Sequence, residues 1–351
     1  MALKLNPDIF RAYDIRGLVD IDIDPSIAEL IGKTVGTYLL NRGKGRSVVV
    51  GMDNRPSSSE LKQSMVNGLM STGCDITDIG LCTSPMLYQA VYTGKFCGGV
   101  IVSASHNPKE YNGFKIVAEE AYPVAGEEIY RIRDMAMATQ FASGKGSYSS
   151  ADIEEEYLKS IEKIIHLERP LKVVLDTGNG VAGKFAPNLL RRLGCEVVEV
   201  FCDLDGTFTN HLPNPEHEAN LIDAKRIVVE TGADIGIGID GDGDRVGLID
   251  EKGNFLSADY ATILLARDYL SRHPGDQILV DVKTSQNVFD EITKNGGKPL
   301  LYKTGHSLIK MKMRADNLTL GGEFSGHLYV FENYFPFDDA LYAASKIFEI
   351  L

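Results

Sequence analysis

Apolar runs and helix-like stretches alternate along the chain in a pattern that occurs three times. Each copy has a short apolar run that ends in Asp, a helix-like stretch, a glycine and a second apolar run. The paired runs lie at 47–53 and 74–79, at 172–176 and 195–200, and at 277–281 and 299–302. An order of strand, helix, glycine stop and strand predicts a βαβ unit in each copy.

A further apolar run follows each copy and opens into a polar loop. The runs lie at 98–102, 233–239 and 318–320, and the loops at 103–108, 240–245 and 321–327. Ligands of α/β sheets bind beyond the carboxyl ends of the strands. The pattern therefore predicts an α/β fold of three tandem related domains, each a mixed sheet with flanking helices, whose loops converge on one cleft. The alternative is an ordinary α/β protein in which these runs are unrelated strands.

Domain boundaries follow from the segments between the copies. The small, polar stretch 143–150 predicts a linker or a long loop. The amphipathic stretch 153–167, with its Glu-rich start, predicts a helix that enters the second domain, and 250–254 predicts a tight turn. We therefore expect domains at 1–150, 151–253 and 254–351.

Composition excludes several classes of protein. The 351 residues include 36 Lys and Arg against 49 Asp and Glu, a net charge of −13, which disfavours binding to nucleic acids or to anionic membranes. No apolar run approaches the roughly 18 residues that span a bilayer, and the N-terminus does not resemble a secretory signal. The five cysteines include no C-x-x-C pair, which predicts reduced, mostly buried thiols in a cytoplasmic protein.

The strongest candidate site is the acidic loop, Asp-Gly-Asp-Gly-Asp-Arg at 240–245. Its glycines allow a tight turn in which Asp240, Asp242 and Asp244 converge, and such carboxylates repel each other unless a cation lies between them. Hard oxygen ligands favour Mg²⁺, Ca²⁺ or Mn²⁺. Two alternatives are an EF-hand, which Arg245 at the glycine position disfavours, and a solvated acidic turn.

The serine loop, Ser-Ala-Ser-His-Asn-Pro at 103–108, brings a serine next to a histidine. A serine hydrolase is disfavoured because the G-x-S-x-G elbow is absent and a triad needs its histidine close in space rather than in sequence. A serine hydroxyl can instead accept a phosphoryl group. Phosphoserine carries close to two negative charges, which Mg²⁺ and cations such as Arg245 and Lys115 would balance.

The glutamate loop, Gly-Gly-Glu-Phe-Ser-Gly-His at 321–327, combines a carboxylate, a hydroxyl and an imidazole. Glu323 and Ser325 are two residues apart, so an extended loop directs both side chains to one side, where they could bind sugar hydroxyls. His327 could transfer protons near neutral pH. The alternative is an ordinary glycine-rich turn.

The three loops, taken together and in this order, resemble the α-D-phosphohexomutase superfamily, and most closely its phosphomannomutase/phosphoglucomutase branch. The resemblance covers essentially the whole chain. The motifs that carry it lie at 10–17 (Phe-Arg-Ala-Tyr-Asp-Ile-Arg-Gly), 105–108, 111–115 (Tyr-Asn-Gly-Phe-Lys), 176–180 (Asp-Thr-Gly-Asn-Gly), 240–245, 303–307 (Lys-Thr-Gly-His-Ser) and 322–327.

The resemblance implies a reversible conversion of hexose 1-phosphate to hexose 6-phosphate through a phosphoserine and a bound hexose 1,6-bisphosphate, which also serves as activator. It implies one Mg²⁺ per chain, held by Asp240, Asp242, Asp244 and the phosphate on Ser105, with Arg245 steadying that phosphate. Glu323 and Ser325 would contact sugar hydroxyls. Further implied roles are proton transfer and charge balance by Arg16, His106, Lys115 and His327, and substrate contacts by Tyr13, Lys283, His306 and His327.

Members of the superfamily usually carry a fourth, C-terminal domain that grips the non-reacting phosphate, and no matching loop occurs before residue 351. We therefore expect a chain that lacks this domain, binds metal and accepts phosphate on Ser105, but turns over poorly, because binding energy from the remote phosphate is used at the reacting centre. We expect a monomer or weak homo-oligomer that acts on mannose or glucose phosphates.

Three alternative functions remain. The first is a sugar-phosphate or metal-binding protein without turnover, and the second is a phosphoglucosamine mutase. The third is a phosphatase that uses Asp240 as its nucleophile.

Overall fold

The computed structural model describes residues 5–351. Contacts between residues divide the chain into two compact units. The first unit contains the described residues up to Glu154 together with Asp205–Thr207, and the second contains Glu155–Leu204 and Phe208–Leu351. Among the described residues, no helix is both long and apolar enough to cross a membrane.

The first unit contains a six-stranded mixed sheet in the order β1-β5-β4-β2-β3-β6. Strands β4, β2, β3 and β6 run parallel to one another, whereas β5 pairs antiparallel with both β1 and β4. The strands are β1 (Ile15–Leu18), β2 (Ser47–Met52), β3 (Asp75–Leu81), β4 (Gly98–Val102), β5 (Tyr111–Ala118) and β6 (Tyr148–Ser150).

The second unit contains two smaller sheets. The five-stranded sheet has the order β11-β10-β9-β7-β8, and its strands are β7 (Lys172–Asp176), β8 (Glu196–Val200), β9 (Ile235–Ile239), β10 (Val246–Ile249) and β11 (Phe255–Leu256). The four-stranded sheet has the order β13-β12-β14-β15, and its strands are β12 (Gln277–Asp281), β13 (Lys298–Tyr302), β14 (Leu320–Gly322) and β15 (Leu328–Val330).

Helices flank these sheets, and they are numbered in chain order. They are α1 (Pro25–Asn41), α2 (Ser58–Ser71), α3 (Ser84–Thr93), α4 (Glu127–Ala138), α5 (Glu154–Glu162), α6 (Ala186–Arg192), α7 (Ile222–Thr231), α8 (Ala258–Arg272), α9 (Gln286–Lys294), α10 (His306–Asp316) and α11 (Ala340–Ile350). Short 3₁₀ turns lie at Pro7–Ile9, Glu119–Ala121, Val181–Lys184 and Glu218–Leu221.

All three sheets share one four-stranded arrangement, which confirms the internal repeat and the fold of three tandem α/β domains. In each, the first strand pairs in parallel with the two strands that follow it: β2 with β3 and β4, β7 with β8 and β9, and β12 with β13 and β14. A fourth strand then returns antiparallel, as β5, β10 or β15. The serine, acidic and glutamate loops therefore connect the same pair of strands in each sheet.

The first unit packs its two long helices very closely. A Cβ added to Gly32 of α1 would lie 2.3 Å from the carbonyl oxygen of Met65, and one added to Gly68 of α2 would lie 2.2 Å from that of Glu29. Both contacts involve backbone, which cannot move aside as a flexible side chain would. A larger residue at either position would therefore push the helices apart, away from the buried valines of β2 and β4.

Three details of the sequence-based prediction are wrong. The predicted linker at 143–150 includes β6, an exposed edge strand that pairs with β3 and that has no buried face to produce an alternating pattern. The helix predicted over 153–167 ends at Glu162, where a tight turn brings Ile165 into the core. Strand β14 extends to Gly322, so it includes the first two residues of the predicted glutamate loop.

Candidate functional site

In the first unit, Ser105 follows the buried strand β4. The residue is 2% exposed and has a φ of +52°, a left-handed conformation that is uncommon for a side chain other than glycine. Its backbone N–H donates to Oγ of Ser103 at 2.9 Å, and its own Oγ lies 3.0 Å from Nδ1 of His106. The tight turn thus brings a hydroxyl and an imidazole into contact.

Three other predicted residues of the first unit lie on or beside the same sheet. Arg16 is on β1, and its guanidinium donates to Oδ1 of Asn107 in the serine loop at 2.6 Å and to Asp14 at 2.5 Å. Lys115 is on β5, where it is almost fully buried with its Nζ 3.4 Å from Oγ of Ser84. Half-buried Tyr13 precedes β1. Arg16 and Lys115 bring two cations to the sheet that carries Ser105.

In the second unit, the acidic loop follows the fully buried strand β9. The three aspartates are at most 1% exposed. Oδ1 of Asp240 accepts from the backbone N–H groups of Asp244 and Arg245 at 2.9 and 3.0 Å, which closes the turn. Gly243 supplies a φ of +80°. The turn is therefore held by the first aspartate of the motif itself.

The motif at 176–180 packs against the acidic loop. Val181 N–H donates to the carbonyl oxygen of Gly241 at 3.2 Å. A Cβ on Gly180 would lie 2.9 Å from Cα of Gly241, so the close approach of the two backbones requires glycine at position 180. This motif has a structural role in placing the acidic loop.

The acidic loop suits a hard divalent cation. One oxygen from each of Asp240, Asp242 and Asp244 lies within 4.8 Å of the others, and carboxylate oxygens are the ligands that Mg²⁺, Ca²⁺ and Mn²⁺ prefer. Their burial excludes the solvated acidic turn. The strand that precedes the loop excludes an EF-hand, which needs a helix there.

The glutamate loop holds its carboxylate in a fixed position. Glu323 is 4% exposed; its Oε1 accepts from Oγ of Ser325 at 2.9 Å, and its Oε2 accepts from the hydroxyl of Tyr329 at 3.0 Å. Glu323 and Ser325 therefore lie together, but on a tight turn closed by Gly326 N–H on the carbonyl oxygen of Glu323, and not on the expected extended loop. Tyr329 on β15 is fully buried, and burial beside Glu323 raises the pKa of its hydroxyl well above its usual range.

His327 joins the glutamate loop to the acidic loop. Its Nε2 accepts from Nε of Arg245 at 3.0 Å, and its Nδ1 lies 2.7 Å from Oδ2 of Asp338. A guanidinium N–H only donates, so this contact requires Nε2 to be unprotonated. The ring proton of neutral His327 then lies on Nδ1, beside Asp338. A backbone bond from Val246 N–H to the carbonyl of Gly326 also connects the two loops.

The charges around His327 oppose its burial. Burial favours the neutral ring, but the carboxylates of Asp244 and Asp338 outweigh it and raise the pKa of His327 above its usual value. Burial alone would raise the pKa of Asp338, but the Lys310 ammonium, 2.7 Å from its Oδ1, and His327 hold it well below its usual range. For Arg245, burial works against the charge, but the carboxylates of Asp240 and Asp244 outweigh it and raise the pKa.

The remaining predicted residues of the second unit differ in exposure. His306 begins α10 and stacks on His327 with ring centroids 4.9 Å apart. Lys283 is exposed on the loop after β12. Buried Asp281, at the end of β12, accepts from the hydroxyls of Thr284 and Thr304, each at 2.8 Å, and from Phe324 N–H at 3.3 Å. Asp281 therefore ties together the segments that carry Lys283, His306 and Glu323.

The sequence matches one family along almost its whole length. Residues 7–143 match "Phosphoglucomutase/phosphomannomutase, alpha/beta/alpha domain I", residues 155–253 match domain II of the same family and residues 257–351 match domain III. The chain belongs to the phosphoglucomutase/phosphomannomutase family.

Relatives and a solved structure agree with this family membership. The chain is 43% identical over 350 residues to a phosphomannomutase/phosphoglucomutase of Pseudomonas aeruginosa, covering 100% of the chain and 75% of the relative. It is 39% identical to a phosphoglucomutase of Neisseria meningitidis, covering 98% and 75%. A crystal structure of a family protein from Burkholderia thailandensis superposes with a TM-score of 0.95 at 39% identity, covering 99% of this chain and 77% of that one.

Sequence reasoning missed several residues of this family member's site. Asp338 touches His327, Lys310 touches Asp338, and Tyr329 touches Glu323. None of the three lies in a motif, so the sequence contains no local signal for them. Asp281 was also missed, although the sequence does contain a signal for it, because an Asp ends the first apolar run of each repeat. Arg55 follows the corresponding Asp53 and donates to the backbone of the serine loop.

Proposed function

We propose that this chain transfers a phosphoryl group between O1 and O6 of a hexose, interconverting hexose 1-phosphate and hexose 6-phosphate. The observation that carries the proposal is the contact between the acidic and glutamate loops in the second unit. One loop offers a buried set of carboxylates suited to a divalent cation, and the other offers a fixed carboxylate and hydroxyl suited to a polyol. A phosphorylated sugar is a ligand that uses both.

In this proposal Ser105 is the phosphoryl carrier. When the phosphoserine donates, the bond between its Oγ and phosphorus breaks and a bond forms between phosphorus and a sugar hydroxyl oxygen; the hydroxyl proton leaves, and the serine oxygen gains a proton. The bound hexose 1,6-bisphosphate then reorients, and its other phosphoryl group returns to Ser105 by the reverse exchange. Free hexose 1,6-bisphosphate activates an unphosphorylated chain in the same way, by transferring one phosphoryl group to Ser105 and leaving as hexose monophosphate.

The proton carriers are proposed from their positions. His106 contacts the Ser105 hydroxyl, and His327 of the glutamate loop contacts Arg245 of the acidic loop. His327 can take up a proton at Nε2 only after the hydrogen bond from Arg245 Nε to that atom breaks. In the proposal this bond breaks when Arg245 turns to the phosphate on Ser105. Arg16 and Lys115 would balance charge beside Ser105. Tyr13, Lys283, His306, Glu323 and Ser325 would contact the substrate.

The proposed metal is one Mg²⁺ per chain, held by Asp240, Asp242, Asp244 and a phosphate oxygen on Ser105. When bound, it would neutralise negative charge on the transferring phosphoryl group. The carboxylate donor set supports this proposal, because hard oxygen ligands suit Mg²⁺ and not a soft metal.

Substrate class and setting are also proposed. We favour mannose or glucose phosphates over glucosamine phosphates, because the relatives at 43% and 39% identity are named for mannose and glucose. The net charge of −13 gives no basis for partners such as nucleic acids or anionic membranes. The five buried thiols support a cytoplasmic setting, and we propose a monomer or weak homo-oligomer.

The test follows phosphorus directly. The chain, with Mg²⁺ and a trace of glucose 1,6-bisphosphate, is incubated with glucose 1-phosphate or mannose 1-phosphate and monitored by ³¹P NMR. We expect the hexose 1-phosphate signal to be replaced by that of hexose 6-phosphate. Release of inorganic phosphate alone would indicate the phosphatase that uses Asp240. Binding of hexose phosphate without any conversion would indicate a protein that only binds.

A further inference from the structure

Arg55 lies between β2 and α2, outside every motif that predicted the site, yet it contacts the serine loop at three points and the first residue of β5 at a fourth. Its Nη atoms donate to the main-chain carbonyl oxygens of Ser105, Asn107, Pro108 and Tyr111 at 2.6 to 3.1 Å. Its Nε donates to Oδ2 of Asp53 at 3.1 Å. A guanidinium has five N–H donors, so these five bonds use all of them.

The environment of Arg55 explains how a buried charge persists there. Its side chain is 0% exposed, and that of Asp53 is 2% exposed. Oδ1 of Asp53 accepts from Arg55 N–H at 3.0 Å and from the Ser58 hydroxyl. Removing one partner of such a buried, fully bonded pair leaves the other charge uncompensated. Asp53 therefore fixes the guanidinium, and the guanidinium fixes the carbonyl groups.

The serine loop depends on such contacts because it leaves the sheet. It departs after Val102 and rejoins at Tyr111. Within it, Ser105 has a φ of +52°, a conformation that persists only where the surroundings hold it. One of the four carbonyl bonds from Arg55 is to Ser105 itself, at 2.7 Å. The three others are to residues that follow Ser105 in the chain.

We propose that Arg55 is the positioning residue for the phosphoryl-carrying serine. By bonding the carbonyls of the serine loop, it aims the Ser105 hydroxyl for in-line attack on phosphorus, a step whose rate depends on placement. Arg55 does not touch the reacting atoms. The inference rests on the proposed function, because it concerns the step in which Ser105 accepts a phosphoryl group.

Lysine at this position separates geometry from charge. Arg55→Lys keeps the positive charge but replaces a planar fork of five donors by three donors on a single nitrogen. A lysine ammonium cannot reach Asp53 and all four carbonyls in their present positions. The variant should therefore retain a buried cation near the loop while it loses control of the loop's geometry.

The experiment measures single-turnover phosphorylation. Unphosphorylated full chain is mixed with Mg²⁺ and increasing glucose 1,6-bisphosphate, and the phosphorylated fraction is followed by intact mass. We expect the limiting rate constant of Arg55→Lys to fall about 30- to 100-fold, while the half-saturating bisphosphate concentration changes less than about threefold. A purely structural role would lower the melting temperature and the active fraction without this selective loss of rate.

Two further variants complete the test. Arg42→Lys is the matched control: Arg42 of the first unit forms a two-point contact with Glu119 away from the serine loop, and its rate should stay within about twofold of wild type. Asp53→Asn keeps the guanidinium but loses its orienting carboxylate, and we expect a loss of about 3- to 10-fold. If Arg55→Lys does not fold, Asp53→Asn carries the test.

The outcomes separate the two levels of inference. A folded Arg55→Lys chain with the wild-type limiting rate constant would overturn the role of Arg55 while leaving phosphorylation of Ser105 intact. A wild-type rate in folded Asp53→Asn would do the same if that variant carries the test. If the wild-type chain takes up no phosphate, the proposed function itself fails, and this inference fails with it.

Discussion

Single buried charges determine what the second unit can bind. Around the acidic and glutamate loops, the buried carboxylates are those of Asp240, Asp242, Asp244, Asp281, Glu323 and Asp338. One oxygen from each of the three aspartates of the acidic loop lies within 4.8 Å of the others. Because like charges this close repel each other, this arrangement favours a divalent cation in the acidic loop.

The first prediction concerns that cation. Asp242→Asn removes one of three carboxylate ligands, so the dissociation constant for Mg²⁺ should rise by about 10- to 100-fold, as measured by isothermal titration calorimetry. The matched control is Glu251→Gln. Glu251 is exposed and occupies the position of the last ligand in the EF-hand alternative. Equal weakening by both variants would contradict a site formed by the acidic loop.

The second prediction concerns the carboxylate of Glu323. Tyr329→Phe removes the hydroxyl that donates to Oε2 at 3.0 Å, which leaves one charged oxygen without that donor inside the protein. Because hydrogen bonds to charged groups contribute roughly 1.5 to 3 kcal/mol, we expect kcat/KM for hexose 1-phosphate to fall about 10-fold. Since the lost hydrogen bond also stabilises the folded state, the melting temperature should fall by a few degrees.

Tyr342→Phe is the control for this prediction. Tyr342 is another buried tyrosine of the second unit, but its hydroxyl donates to the backbone carbonyl of Glu332 at 2.8 Å and contacts neither loop. Its kcat/KM should stay within about twofold of wild type. If Tyr342→Phe lowered kcat/KM as much as Tyr329→Phe does, the effect would not be specific to the hydroxyl that donates to Glu323, and the prediction would be contradicted.

Residue-level prediction from sequence succeeded where the chemistry is contiguous. The acidic loop carries its three carboxylates within five positions. Glu323 and Ser325 are also close in sequence and lie together, although a turn and not an extended segment joins them. Asp338 contacts His327 from outside every motif, and Lys310 in turn contacts Asp338. A single sequence contains no signal that relates such residues, because only the fold brings them together.

At the scale of elements, the strand-end aspartate is a recurrent device. Asp53, Asp176 and Asp281 end or follow the first strand of each four-stranded arrangement, and all three are buried. Asp53 holds Arg55, and Asp281 accepts from Phe324 N–H in the glutamate loop. Asp176 accepts from Gly178 N–H within the 176–180 motif, and Val181, just after that motif, donates to Gly241 of the acidic loop. The three copies therefore share a buried aspartate after the first strand as well as the order of their strands.

The third prediction concerns the start of α11. Asp339 accepts from the backbone N–H groups of Leu341 and Tyr342 and from the hydroxyls of Tyr157 and Tyr334. Burial nevertheless raises its pKa from 3.8 to about 6. The folded state then binds a proton more readily than the unfolded state, so this group's contribution to stability is full below pH 3.8 and is lost as the pH rises through about 6.

The measurement is the free energy of unfolding against pH for wild type and Asp339→Asn. The difference between them should fall by about 2 kcal/mol between pH 4 and pH 7. Asp234→Asn is the control of opposite sign: the Lys172 N–H lowers the pKa of Asp234, so its stabilisation is lost as the pH falls below 3.8. A difference for Asp339→Asn that does not vary with pH would contradict the burial argument.

At the scale of the whole molecule, the internal repeat predicted the fold. The sequence gives three βαβ units, and the structure has three sheets with the same four-stranded arrangement. The failures lie at exposed edges: β6 has no buried face, and α5 ends where Ile165 turns inward. Hydrophobic patterning detects burial, so it is least informative where an element is exposed or changes direction. Convergence of all three loops, and the domain boundaries at 150 and 253, stay predictions.

The central claim is that Ser105 carries the phosphoryl group, and intact mass measures it most directly. Unphosphorylated wild-type chain and Ser105→Ala are incubated with hexose 1,6-bisphosphate and Mg²⁺ and then treated with hydroxylamine. We predict that wild type gains one phosphoryl group that resists hydroxylamine and that Ser105→Ala gains none. A gain that persists in Ser105→Ala, or one that hydroxylamine removes, would contradict the claim and assign the phosphate to another side chain.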